Sequence, residues 1–298
     1  MDRPWMAALE MQFAAARFAE TVLQAKHPAV ERHGTGLYHL AAASIPRAET
    51  YTWSHDVLSA LFLAGRTIPR DAALNVELLP ASVFSWWWFE ESLPFHSNRG
   101  AFGEAEVAIH AVLLQSGITR RESSEPALGI TTFGVLENRA PFPTTHINWA
   151  YGETLAQLEQ RYEAHYVLEN GDTDQTACHA RRLSVVVLAA LVWLQQRILS
   201  WSAGHVERHR RKQLAREHNA PLPSDVRVIQ LRRAESVSRP PSAGGESVEW
   251  SCRWIVNGHW RNQPYKDERK LIYIMPYVKG PEEMPLRVPT HTVYQVSR

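Results

Sequence analysis

Leu79-Pro80 and Leu93-Pro94 bracket the run Val83-Phe84-Ser85-Trp86-Trp87-Trp88-Phe89, and how that run folds decides the architecture. Its aromatic side chains suit the pleated surface of a strand better than a helix, and prolines close it on both sides. A sheet is therefore expected from about Leu74 onward. Downstream, Val107 to Leu114 is apolar on both faces and is read as a strand. Thr131 to Leu136 and Thr145 to Trp149 follow as two more, each bordered by Pro or Gly turn chemistry.

Upstream the period changes to that of helices. Pro4 suits a first helical position, and Met6, Leu9, Phe13 and Ala16 recur at spacings of three and four, with Leu23 further along the same face. Ser54 is placed as an N-cap, Asp56 falls in the first turn, Val57, Leu58, Leu61 and Phe62 supply the apolar stripe, and Gly65 follows. These two helices predict an N-terminal helical layer. A further helix is expected from Glu153 to about Tyr166, burying Leu155, Leu158 and Tyr162, and Glu169 to Asp174 reads as a turn. Leu183 to Leu194 is the most apolar stretch. Its dozen or so residues fall short of the roughly 20 needed to cross a bilayer, so it is read as a buried core helix, with Gly204 available as its left-handed cap.

Beyond Gly204 the composition turns basic. Arg208, Arg210, Arg211, Lys212 and Arg216 crowd one helical length with only Val206 and Leu214 to bury. Pro221 and Pro223 stop that helix, Val226 to Leu231 gives a short strand, and Ser236 to Ser247 reads as a flexible loop. Then Val248, Trp250, Cys252, Trp254 and Val256 alternate with polar residues, interrupted only by Ile255, ending at Gly258. The polar residues His259 to Lys266 read as a loop, and Leu271 to Val278 returns as a second strand. The fold expected is thus α+β: an N-terminal helical layer, a central mixed or antiparallel sheet with a buried core helix, and a C-terminal antiparallel hairpin. Three parts are anticipated. Residues 1–204 form an α+β core domain, 205–247 a basic helix, short strand and loop, and 248–298 a β-hairpin packed on the core.

Composition narrows the function. The chain has 298 residues, 45% of them apolar, enough for a substantial core. Its 32 basic and 31 acidic residues leave a net charge of +1, so no global field draws it to nucleic acid, and any basic function is local. Two widely spaced cysteines, Cys178 and Cys252, and a first helix lacking the pattern of a secretory signal predict a soluble cytoplasmic protein with reduced thiols and no membrane partner.

Recognisable catalytic apparatus is missing. There is no phosphate-cradling Gly-rich loop, no dinucleotide turn and no Ser elbow flanked by glycines. His205 and His209 stand four apart, but Glu207 is not placed as in a zinc-protease helix and the cationic neighbours repel a divalent ion, so no metal is assigned. Asp172 and Asp174 are read as turn residues. None of the 14 histidines is tied by spacing to a nucleophile or carboxylate. No cofactor is implied, and the chain reads as a binder rather than an enzyme.

Two surfaces are candidates. Arg208, Arg210, Arg211 and Lys212 either contact phosphate or form a solvated face. His259, Trp260, Arg261 and Tyr265 gather an indole, a guanidinium and a phenol on what reads as an exposed loop, suited to gripping a peptide or stacking on a base. Trp254 in the preceding strand and Trp87 in the tryptophan run are added to that set, although core is the commoner fate of Trp86 to Trp88.

Several blocks, taken in order, carry a resemblance: Leu79-Pro80 through Trp88, Trp149 through Leu155, Leu188 through Leu194 with its Trp193, Val226 through Arg232, and Gly258-His259-Trp260-Arg261. Together they resemble a family of phage- and mobile-element-encoded proteins that includes a type V-A anti-CRISPR acting on production of its target nuclease. The resemblance implies a protein that recognises the N-terminal peptide of its target as that peptide emerges during translation and so lowers the message; the basic helix is then available to touch ribosome or mRNA. The sequence departs from that anti-CRISPR in Lys279-Gly280-Pro281 and in the basic Arg208 to Arg216 stretch, which leaves the target open. Alternatives are an RNA- or DNA-binding phage regulator using the same surface, and a nuclease with His259 as general acid-base and Arg261 holding phosphate.

Overall fold

A computed structural model of the chain describes residues 4–25, 35–80, 82–93, 96–97, 107–119, 124–135, 140–169, 175–196, 198–231, 253–265, 268–281 and 284–287. It divides into two compact units, Met1–Leu231 and Arg232–Arg298. The expected loop from Ser236 to Ser247, the turn from Asn170 to Asp174 and the first half of the alternating strand, Val248 to Cys252, lie outside the described residues.

In the first unit the tryptophan run is strand β2 (Phe84–Phe89). It lies parallel to β1 (Glu49–Trp53), in register from Glu49↔Ser85 to Trp53↔Phe89. Parallel neighbours need a crossover, supplied by α3 (His55–Gly65). Two more helices, α1 (Pro4–Gln24) and α2 (Thr35–Ser44), precede β1. From β2 the sheet continues antiparallel through β4 (Val107–Thr119), β5 (Pro126–Val135) and β6 (Phe142–Ala150), with the short β3 (His96–Ser97) also on β4. After α4 (Leu155–Glu169) and α5 (Gln175–Gln195) come β7 (Leu199–Gly204), α6 (Arg208–Glu217) and β8 (Val226–Leu231). β8 returns parallel to the free side of β1, giving the order β6-β5-β4-β2-β1-β8-β7. The chain is α+β with a mixed sheet, as its sequence pattern predicts. The expected boundary at Gly204 falls inside this unit, because β8 completes the sheet beside β1.

Alternation along β2 sends its indoles to both faces. Trp86 and Trp88 join Leu9, Phe13 and Ala16 of α1, Tyr38 of α2, Phe133 of β5 and Leu214 of α6 in one buried cluster. Trp87 points the other way, its ring 4.9 Å from that of Trp53, beneath the face where α3 packs on β8 and α5. Gly204 is no helix cap: it ends β7, where a Cβ would stand 2.5 Å from Trp5 Cγ, so close approach selects glycine there.

The second unit holds a two-stranded ribbon and a small three-stranded sheet. β10 (His259–Tyr265) pairs antiparallel with β11 (Glu268–Ile274), while β9 (Arg253–Val256) lies between β12 (Tyr277–Lys279) and β13 (Leu286–Arg287). The residues from His259 to Tyr265 read as a loop are thus a strand. The expected second strand, Leu271 to Val278, is split at Met275-Pro276 between two sheets.

Two polar side chains, Gln12 wholly buried and His146 partly so, make testable demands on the first unit. Gln12, in the middle of α1 and wholly buried, donates through Nε2 to the carbonyls of Ile45 (2.6 Å) and Ala48 (3.0 Å) and accepts from the Thr50 hydroxyl. Gln12→Leu strips partners from buried groups, and is expected to cost about 2–3 kcal/mol in chemical denaturation, against under about 0.5 for Ala7→Ser on the exposed face. His146 sits between Thr131 Oγ1 and Asn148 Oδ1, each 2.8 Å away, and burial holds its imidazole below the ordinary 6.5; burial also lowers His110, which stacks on Trp88. Below about pH 6.5 the unfolded chain takes up protons that these folded groups refuse, so stability falls with pH there and is unaffected by them above it. Urea midpoints measured from about pH 7.5 to 5.5 are expected to drop, with a shallower slope in His146→Gln.

Candidate functional site

The pleat of the ribbon sorts the predicted quartet. Because side chains alternate across a strand and paired residues share a face, His259, Arg261 and Tyr265 stand on one face with Ile274, Ile272 and Lys270. Trp260 stands on the other with Tyr273 and Leu271. Three of the four are therefore together and the indole is not. On the first face Arg261 and His259 are exposed, Tyr265 is 52% exposed, and Lys270 Nζ lies 5.9 Å from the Tyr265 ring centroid, tethered by Glu268 at 2.9 Å. His259 Nδ1 lies 3.0 Å from the carbonyl of Asn257.

On the second face Trp260 and Tyr273 pack with ring centroids 5.0 Å apart. Tyr273 also covers Gly258, where a Cβ would stand 2.1 Å from the phenol oxygen. Partial burial raises the Tyr273 pKa, which keeps that phenol neutral. Trp254 lies in β9, opposite Lys279, whose Nζ is 5.8 Å from the indole centroid. The sequence reading missed Tyr273 as the partner of Trp260. It also missed the exposed apolar side chains Met275, Tyr277 and Val278; absorbing them into one long half-buried strand hid them.

Trp87 is corrected from surface to core: it is fully buried in the first unit. The basic helix also resolves residue by residue. Arg210 pairs with Glu10 at 3.0 Å, and Arg211, largely covered, lies 3.5 Å from Asp225 and donates to the Pro223 carbonyl. Neither offers a free charge to phosphate. Arg208, Lys212 and Arg216 are exposed and form no ion pair among the described residues. His205 faces Asp225 and His209 faces Glu207, so the two histidines turn to separate carboxylates. Among the described residues no group of three or more His, Cys, Asp or Glu side chains is disposed to hold a metal.

One cleft of about 360 Å³ lies between α1 and α6, floored by Phe13, Phe18 and Leu214 and crossed by the ion pairs Glu10–Arg210 and Arg17–Glu217 (3.2 Å). His218 packs at its edge, 4.9 Å from the Phe13 ring, and burial together with the Arg17 charge lowers its pKa. No sequence signal marks this cleft, because its two walls are some 200 residues apart. Its cations and carboxylates cancel, so it selects neither an anion nor a cation.

No helix among the described residues is long and apolar enough to cross a membrane. Comparison with family models, with curated proteins and with solved structures gives no match.

Proposed function

We propose that the protein captures an extended peptide along the β10–β11 ribbon, that the peptide is the N-terminal segment of a target protein as it is made, and that capture lowers production of that target. One observation carries the reading. Among the described residues neither β10 nor β11 pairs with a further strand, and Arg261, His259 and Tyr265 stand exposed on one face beside those open edges. An added strand gains main-chain hydrogen bonds from such an edge and specificity from alternate side chains. The resemblance of Gly258-His259-Trp260-Arg261 supports the nascent chain as the partner. A second reading, RNA binding, draws on Arg208, Lys212 and Arg216, the cations of α6 that point into solvent.

Affinity capture of the tagged full chain from translating cells, with and without RNase, tests both. Enrichment of one nascent protein and its message, with the protein retained after RNase, is the expected outcome. Loss of every partner on RNase treatment, with affinity falling steeply as salt rises, gives the surface to RNA instead. Arg261→Glu is expected to cut peptide capture about tenfold or more while leaving the melting temperature unchanged. Unchanged capture in that variant removes the ribbon from the interface.

A further inference from the structure

β7 is the outer strand of the first unit's sheet, paired on one side only, in unbroken register from Leu199↔Leu231 to Gly204↔Val226. Among the described residues no strand adds to its other side. Native edges are usually blunted by a charge, a proline or a bulge, because a row of unpaired N–H and C=O groups invites another strand. Leu199-Ser200-Trp201-Ser202-Ala203-Gly204 has none of the three. At the far edge β6 differs: it contains Pro143, shifts register against β5 at Thr132/Phe133, and buries most of its side chains.

The exposed run of β7 is Trp201-Ser202-Ala203, with Trp201 62% exposed. Its indole is nonetheless held. The Arg227 guanidinium lies 5.5 Å from the Trp201 ring centroid and is itself fixed by Tyr51 Oη at 2.9 Å and Glu49 at 3.2 Å. An ordered aromatic loses little freedom when something covers it.

We propose that β7 is a self-pairing edge through which two copies of this chain join antiparallel into one continuous sheet. A peptide would find main-chain partners there, but β7 carries no charge of its own, and the first unit's cleft lies between α1 and α6, so little at this edge selects a peptide's side chains. A second copy needs no such selection. It brings an edge of equal length, and a chain of net charge +1 resists self-association weakly. Two-fold symmetry also restricts the register, since facing residues share a side of the sheet and a residue on the axis must meet its own counterpart. Centring the axis on the exposed run places Ser202 against its counterpart and Trp201 against the counterpart of Ala203, large beside small. A single ladder with two indoles sits at the small end of interfaces, so the dimer dissociates in the micromolar range.

Sedimentation equilibrium of the full chain across that range is expected to show a monomer–dimer equilibrium, weakened at least about tenfold by Trp201→Glu with melting unchanged. In a Cys178→Ser, Cys252→Ser background, Ser202→Cys is expected to form an intermolecular disulfide on mild oxidation, because facing Cα atoms about 4.5–5.5 Å apart lie within disulfide reach. Ser59→Cys, exposed on α3, is not. A wild-type chain that stays monomeric, or a dimer that survives both Trp201→Glu and Ser202→Pro, overturns the proposal. A monomer whose peptide capture falls with Trp201→Glu overturns it too, and gives the edge to a peptide.

Discussion

Everything in the first unit hangs on the parallel ladder between β1 and β2. Five consecutive pairs, Glu49↔Ser85 to Trp53↔Phe89, join segments that cannot meet through a tight turn, so α3 must cross over between them and lie on the sheet. That ladder also sets which indoles face which layer. Trp86 and Trp88 with Thr50 and Thr52 look toward α1, and Tyr51, Trp53 and Trp87 look away. A slip of one residue would exchange the two sets, presenting hydroxyls where α3 needs aromatics and breaking the bond from Thr50 to Gln12. Among the described residues the indole N–H groups of Trp53, Trp86 and Trp87 meet no acceptor, a desolvation cost that the buried ring area must outweigh. β8 then uses the remaining side of β1, which draws the last strands of the unit onto a nucleus laid down early in the chain.

How much of this was legible depended on whether a segment buries one face. The helix from Pro4 and the helix after Ser54 do so and were readable, whereas the strands at 126–135 and 142–150 bury residues on both faces, so that they were read only over 131–136 and 145–149, from β-branched and aromatic content beside turn residues. β1 was not: Glu49-Thr50-Tyr51-Thr52-Trp53 buries both faces with threonines on one of them, so it shows polar alternation without an exposed side. β7 escaped because an edge strand leaves Trp201, Ser202 and Ala203 in water. Nothing in the apolar spacing of the first helix marks Gln12 as buried, and only its distant partners at Ile45, Ala48 and Thr50 show it. In the second unit β10 read as a loop for the same reason. A two-stranded ribbon need bury neither face completely, so His259 to Tyr265 is polar on both, and Pro264 sits where a paired strand would be expected to avoid it.

The blocks that carry the family resemblance do different physical work. Trp149 to Leu155 is a junction between β6 and α4. Gly152 takes φ +85°, Trp149 Nε1 donates to the Glu153 carbonyl at 2.9 Å, and the Glu153 carboxylate accepts from the Ala150 N–H at 3.0 Å and from Arg161. Arg161 continues to the Asn148 carbonyl at 2.6 Å. These residues hold a corner of the fold, as Trp86 to Trp88 and Trp193 hold its core. Residues at such positions serve architecture, since function lives in sites grafted on folds.

Only Gly258-His259-Trp260-Arg261 lies at the candidate site, and packing accounts for half of it. Gly258 is required because Tyr273 lies over it, and Trp260 is the ring on which Tyr273 rests. Any ribbon closed by that tyrosine would call for this glycine and an apolar partner, whatever it binds. His259 and Arg261 differ, since they share the opposite face and are exposed. His259 reaches only a carbonyl two residues away, and the Arg261 charge makes no contact among the described residues that would account for it. Arginine is ordinarily exposed, so Arg261 becomes a recognition residue only under the proposed peptide capture. The functional reading therefore narrows from a motif to one side chain and the edge it flanks.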